Sequence, residues 1–254
     1  MNTIFQKSEK TIKDQVIPSV KQSLVFRKIW TSVSPWILRF YIGKVKRFKT
    51  DNSEDALNFI QSLCFGFAIR LAQVKSEFLN LLNIFKQKAP KVVMEIGTAR
   101  GGTLFCFSKL APEDATIISV DLPGGNFGGG YPKSKVPFYN SFKKNGQKMF
   151  LLRENSHAEE TVTKVKDILN GKKIDFLFID ADHTYEGVKR DFELYSPLLA
   201  KNGIVAFHDV ALIPGAPRNY VSVFWNEIKN NYKYEELIEN KEQGWAGIGV
   251  LFFE

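Results

Sequence analysis

The run Val92-Val93-Met94-Glu95-Ile96-Gly97-Thr98-Ala99-Arg100-Gly101-Gly102-Thr103 decides the fold. Five residues suited to a buried strand end at a glycine, and a helix-forming stretch to Leu110 begins at Thr103. A short apolar strand that meets glycines and passes directly into a helix opens a βα unit. The alternation repeats downstream. Strands are predicted at Thr116–Asp121, Met149–Leu152, Asp175–Asp180 and Gly203–His208. Helices are predicted near Phe138–Asn145, Ala158–Leu169, Glu186–Leu199 and Val221–Asn230. Two further strands, Tyr234–Glu239 and Gly247–Phe253, close the chain. Short buried-type strands alternating with helices imply an α/β fold. The expectation is a Rossmann-like, doubly wound, seven-stranded, mostly parallel sheet with an antiparallel last strand.

Upstream of this run, Leu71, Val74, Phe78, Leu81, Leu82 and Phe85 recur at helical spacing within Ala56–Lys88, as one long helix or two shorter ones. Ala89-Pro90 ends them. Residues 1–53 differ in composition and read as a basic, aromatic N-terminal helical extension. Residues 54–254 then form the domain with its leading helices. The first 50 residues hold eleven Lys or Arg and two acids, so they carry +9 of the chain's net +8 and leave about −1 for the rest. The basic excess is thus confined to the extension, and no nucleic-acid partner is implied. No Asn-Pro-Pro-Tyr-type motif for a flipped base is present either.

No stretch reaches the roughly 18–20 apolar residues of a membrane span. The N-terminus, broken by Gln6, Lys7, Glu9 and Lys10, does not read as a signal peptide. Residues 26–48 mix Trp30, Trp36, Phe40 and Tyr41 with Arg27, Lys28, Arg39, Lys44, Lys46 and Arg47. This suits peripheral membrane contact, or equally a basic helix packed on the domain or on a second subunit of a homodimer. Cys64 and Cys106 lie in apolar runs and give no disulfide framework, so a cytoplasmic protein is expected, with any membrane contact at the inner face.

The glycines read G-x-x-x-G-G, not the dinucleotide G-x-G-x-x-G, and the acid Glu95 precedes them. A pyrophosphate is disfavoured beside that carboxylate, whereas an ammonium or sulfonium is not. Gly97 is read as permitting a tight turn, and Gly101 and Gly102 as letting a ligand approach the backbone. Asp121, ending the second strand, can take the hydroxyls of an adenosine ribose or merely cap a loop. Asn155-Ser156-His157 follows the third strand and can meet an adenine edge; Ser156 can instead cap the helix beginning at Ala158.

The chain has only three histidines, and each stands at or just past a predicted strand end: His157, His183 and His208. In an open α/β sheet those ends form the ligand crevice. Asp180-Ala181-Asp182-His183 and His208-Asp209 put acids and bases on one edge. Asp180, His208 and Asp209 are expected to converge on a divalent cation. His183, three residues after Asp180, is the expected base.

Taken in order, these motifs carry a family resemblance. They are Glu95 to Thr103, then Ser119-Val120-Asp121-Leu122-Pro123, then Asn155-Ser156-His157, then Asp175 to Asp191, then Gly203 to Val210. The chain resembles class I S-adenosylmethionine-dependent methyltransferases, within them the cephalosporin-hydroxylase-like and macrocin-type O-methyltransferase group. The likeness runs from about Gln73 to the C-terminus. It implies an O-methyltransferase with S-adenosylmethionine as cofactor, assisted by Mg²⁺ or Mn²⁺, acting on a hydroxyl of a small molecule or saccharide. Glu95, Gly97, Thr98, Ala99, Arg100, Gly101, Gly102, Thr103, Asp121, Leu122, Asn155, Ser156, His157 and Asp180 would contact the cofactor. Asp180, His208 and Asp209 would hold the metal, and His183 and Asp180 would be catalytic. His208 departs from the pattern, because relatives often carry a carboxylate there. The other readings are an NAD-dependent oxidoreductase, which the missing dinucleotide motif opposes, and a non-catalytic cofactor-binding accessory of a partner enzyme.

Overall fold

The structure is a computed structural model that describes residues 38–63, 69–124, 130–211 and 220–254 except 241. Seven strands form one sheet: β1 (Val92–Ile96), β2 (Thr116–Asp121), β3 (Lys148–Arg153), β4 (Ile174–Ile179), β5 (Leu199–His208), β6 (Lys233–Leu237) and β7 (Ile248–Phe252). Their order is β3-β2-β1-β4-β5-β7-β6. β1 to β5 pair in parallel, and β7 runs antiparallel to both β5 and β6. The doubly wound sheet with its antiparallel final strand is therefore present, and the order reverses between β1 and β4, the switch point where such sheets take ligands.

β1 and β2 are buried at every position, because helices cover both faces. Successive side chains alternate between two cores. Val93, Ile117, Phe176 and Phe178 pack on one side against α2 (Ser53–Ser62), α3 (Lys75–Lys88) and α4 (Gly102–Leu110). Met94, Ile118 and Leu177 pack on the other against α6 (Glu159–Leu169), α7 (Tyr185–Tyr195) and α8 (Val221–Ile228). α5 (Val136–Asn140) begins two residues before the predicted helix, with Pro137 in its first turn, where a missing N–H costs nothing. α7 stops at Tyr195 rather than Leu199: Pro197 has no N–H for the next α-helical bond, and the chain runs on as a 3-10 turn over Ser196–Leu198. β5 correspondingly starts at Leu199.

The leading segment is two helices, not one. A further helix, α1, is described over residues 38–47. Its Leu38 and Val45 belong to the first core, and the buried Lys109 of α4 donates from Nζ to the Val45 carbonyl at 2.8 Å. From residue 38 onward the expected extension is thus packed on the domain. Phe40 points outward, 79% exposed. Residues 1–37, and with them most of the 26–48 membrane expectation, lie outside the described residues. Among those described, no helix is long and apolar enough to cross a membrane.

Candidate active site

At the switch point the carboxyl ends of β1, β2, β3 and β4 enclose a crevice of about 830 Å³. The chain enters it through the turn after β1. Gly97 takes φ 97°, and a Cβ there would collide with the Asp180 carbonyl at the end of β4. The other two glycines also answer to packing within the chain. A Cβ on Gly101 would stand 2.8 Å from the Tyr139 ring, and one on Gly102 would stand 2.5 Å from the Arg70 carbonyl oxygen. Residues 70–73 are drawn across the turn as a strap, with an isolated parallel bridge between Arg70 and Gly101. Thr98, Ala99, Arg100 and Thr103 line the crevice beside Gly97 and Gly102; Glu95 and Gly101 do not.

Glu95 lies behind that wall, 1% exposed. Thr103 donates its hydroxyl to Oε2 at 2.9 Å, while Oε1 has no partner. Burial pushes this carboxyl up to about 8 against the pull of Thr103. A lone buried carboxylate oxygen behind the glycine turn fits the ammonium end of an amino-acid moiety.

Asp121 and Leu122 line the crevice. The Asp121 carboxylate is already filled. Oδ2 accepts from the amides of Thr98 (3.0 Å) and Ala99 (2.6 Å), and Oδ1 from those of Leu122 (2.8 Å) and Gly130 (3.0 Å). A carboxylate offers about four acceptor positions. Any ribose hydroxyl has to displace one of these donors. Burial raises the Asp121 carboxyl even so, against the four amides.

Asn155, Ser156 and His157 form the next stretch of wall. Ser156 does not cap α6, whose N-cap is Ala158 without a side-chain bond. The Asn155 side chain instead accepts from the His157 amide at 3.0 Å, and the Ser156 carbonyl accepts from the Tyr195 hydroxyl at 2.8 Å.

At the far end stand Asp180 and His183. His183 Nδ1 lies 2.7 Å from Asp209 Oδ2, and its Nε2 lies 3.8 Å from Asp180 Oδ1. The bond to Asp209 raises the His183 pKa above its ordinary value, against burial. Asp209 reaches back from the end of β5 at φ 66°, a left-handed conformation that Asp tolerates better than most residues. Asp180 Oδ2 accepts from Gln73 Nε2 of the strap at 2.6 Å.

The expected metal ligands Asp180, His208 and Asp209 stand together. Asp180, His183 and Asp209 present ligand atoms within 4.8 Å of one another, whereas His208 is not of that group. His208 is buried on the inner side, with Nδ1 3.2 Å from Asp180 and 3.4 Å from Asp209. Burial opposes its charge, but the two carboxylates outweigh burial and push it up to about 10. It therefore braces both acids. Two carboxylates and an imidazole in reach of one point fit a divalent ion, with the nitrogen favouring Mn²⁺ over Mg²⁺. Sequence reasoning missed Arg70 and Gln73, since the strap lies 107 residues from the Asp180 it touches.

Residues 94–210 match a methyltransferase-domain family. An uncharacterised protein of Acanthamoeba polyphaga mimivirus, R132, is 32% identical over 137 residues, covering 51% of this chain and 56% of that protein. An uncharacterised Sinorhizobium fredii protein, y4gI, is 30% identical over 47% of this chain, which spans only 13% of its length. A rhamnosyl O-methyltransferase of Mycobacterium tuberculosis is 23% identical over 67% of this chain and 69% of its own. The fold superposes on an O-methyltransferase from Bacillus cereus in complex with S-adenosylhomocysteine, with TM-score 0.51, 15% identity, and 84% and 96% of the two chains covered. It also superposes on TomG, an O-methyltransferase from Streptomyces achromogenes in complex with S-adenosylmethionine, with TM-score 0.52, 12% identity, and 82% and 92% covered. The segment similar to methyltransferase domains, residues 94–210, holds the glycine turn and most of the crevice wall.

Proposed function

We propose that the chain is an S-adenosylmethionine-dependent O-methyltransferase acting on a hydroxyl of a small molecule or saccharide. One observation carries the reading: the glycine turn, the Asn155–His157 wall and His183, held from behind by Asp209, all border one crevice. A cofactor seated on the first two would point its reactive end at the third. Glu95, with an unpartnered oxygen behind the turn, supports an ammonium there. The acceptor class rests on the O-methyltransferases among the similar proteins, a rhamnosyl enzyme included.

When bound, S-adenosylmethionine would supply an electrophilic methyl group on a sulfonium, with the neutral thioether as the leaving group. His183 is the base. Asp209 holds its Nδ1–H, which leaves the Nε2 lone pair for the acceptor proton. The acceptor oxygen forms the new C–O bond as the C–S bond breaks, and the proton rests on His183. Holding oxygen and methyl in line is the larger part of the catalysis. Asp180 and Asp209 would carry a divalent cation, which supplies positive charge that acidifies the acceptor hydroxyl. The His183 Nε2 lone pair serves either the cation or the proton, not both at once. We assign it to the proton.

Calorimetric titration with S-adenosylhomocysteine, with and without Mg²⁺ or Mn²⁺ and against NAD⁺, tests the cofactor. Micromolar binding with silent NAD⁺ is expected. Binding of NAD⁺ alone, or of neither, would reject the reading. Chelator-insensitive methyl transfer to a hydroxylated saccharide would remove the cation and keep the base.

A further inference from the structure

The mechanism leaves the buried Asp191 carboxylate unused. Asp191 stands on α7 with its side chain 0% exposed, and neither of its oxygens has a hydrogen bond of good geometry. Its ion-pair partner is His157 Nε2, at 3.2 Å. A leucine would fill that position at far lower desolvation cost. One turn on, at i+4 and so on the same helix face, Tyr195 donates its hydroxyl to the Ser156 carbonyl at 2.8 Å. Two polar groups of one helix thus hold two successive residues of the crevice wall.

We propose that Asp191 and Tyr195 are positioning residues for the cofactor, fixing the Ser156-His157 wall from the α7 side. The inference rests on the methyltransferase reading and extends it to residues that line no part of the crevice. α7 begins directly after His183, with Thr184 as its N-cap. The same helix therefore starts at the base and supports the opposite wall. Groups facing His157 are the Asp191 carboxylate from α7, the Asp182 carboxylate from the turn after β4, and the Gly187 carbonyl. Asp191 leads in holding the imidazole above its ordinary value.

The test pairs affinity with a proton readout. Asp191→Asn and Tyr195→Phe are titrated with S-adenosylhomocysteine, and the His157 imidazole is followed by NMR against pH, assigned through His157→Gln. Asp191→Asn should weaken binding about tenfold, as for the loss of one charge of a close ion pair, and lower the His157 midpoint. Tyr195→Phe should weaken binding by a smaller factor and leave that midpoint in place. The double variant Asp191→Asn/His157→Gln should bind no worse than the weaker single one. Unchanged affinity in folded Asp191→Asn, or an unmoved His157 midpoint, overturns the proposal. Should Asp191→Asn fail to fold, unchanged affinity in Tyr195→Phe overturns it. Wild-type protein silent toward S-adenosylhomocysteine would reject the cofactor reading and this proposal together, whereas failure of the proposal alone leaves wild-type binding intact.

Discussion

Each histidine of this chain leans on an aspartate: His157 on Asp191, His183 on Asp209, and His208 on Asp180 and Asp209. Only His183 combines that support with a place on the crevice wall beside the acid cluster. His183→Ala should therefore lower methyl transfer by about 10²–10⁴-fold and leave S-adenosylhomocysteine affinity unchanged in calorimetry. Full activity in this variant would remove the base assignment. Glu95 gives a second prediction with a definite sign. Its carboxyl titrates near 8 in the folded chain and near 4.5 in a free side chain. Between those values the folded state keeps a proton that the unfolded state has lost, so stability falls as pH rises through the window. Glu95→Gln removes that slope. Relative to wild type, its Tm should gain about 4 °C or more on going from pH 5 to pH 8. Parallel melting curves for the two proteins would contradict this. Glu95, Asp180 and His183 were legible in sequence because each sits within a few residues of a strand end. Asp191 was not, since a polar residue on a helix reads as solvent-facing until β3's loop is folded against it.

Among the elements, strands β1, β2 and β4 could be read nearly to the residue, because strands buried on both faces give uninterrupted apolar runs. The strap at residues 70–73 could not. Leu71 shares the helical spacing of Val74 and Phe78, yet the segment is not helical, and what it does depends on meeting the glycine turn from another part of the chain. Its contact with Gly102 leaves no room for a methyl group. Gly102→Ala should push the strap away, cost about 1–3 kcal/mol in denaturant melts as overpacking does, and release Gln73 from Asp180. If the variant is as stable as wild type, the strap is not held by that contact. The packing contacts of Gly101 and Gly102 stayed hidden for a related reason: a glycine marks a close approach, but the sequence alone does not say which part of the chain does the approaching.

At the scale of the whole molecule, the basic excess and the crevice-lining residues are separated along the sequence. The basic excess lies in the first 50 residues, while the crevice faces the carboxyl edge of the sheet. We propose that the N-terminal region, with Arg39, Lys46 and Arg47 exposed around Phe40 on α1, meets anionic membrane surfaces. The full chain should co-sediment with phosphatidylserine vesicles at low salt, and Phe40→Ala should weaken this several-fold, on the order of one buried apolar side chain. Absence of sedimentation would dismiss it. A single peak in light scattering at twice the chain mass would support the expected homodimer, and a monomer would remove it.

The four amides gathered on Asp121 have a kinetic consequence. A ligand hydroxyl that used that carboxylate would have to wait for the Thr98, Ala99, Leu122 or Gly130 amide to let go. Association then has two stages, and in stopped-flow mixing the observed rate should level off at high ligand concentration, the plateau measuring how often the protein itself releases its own acid.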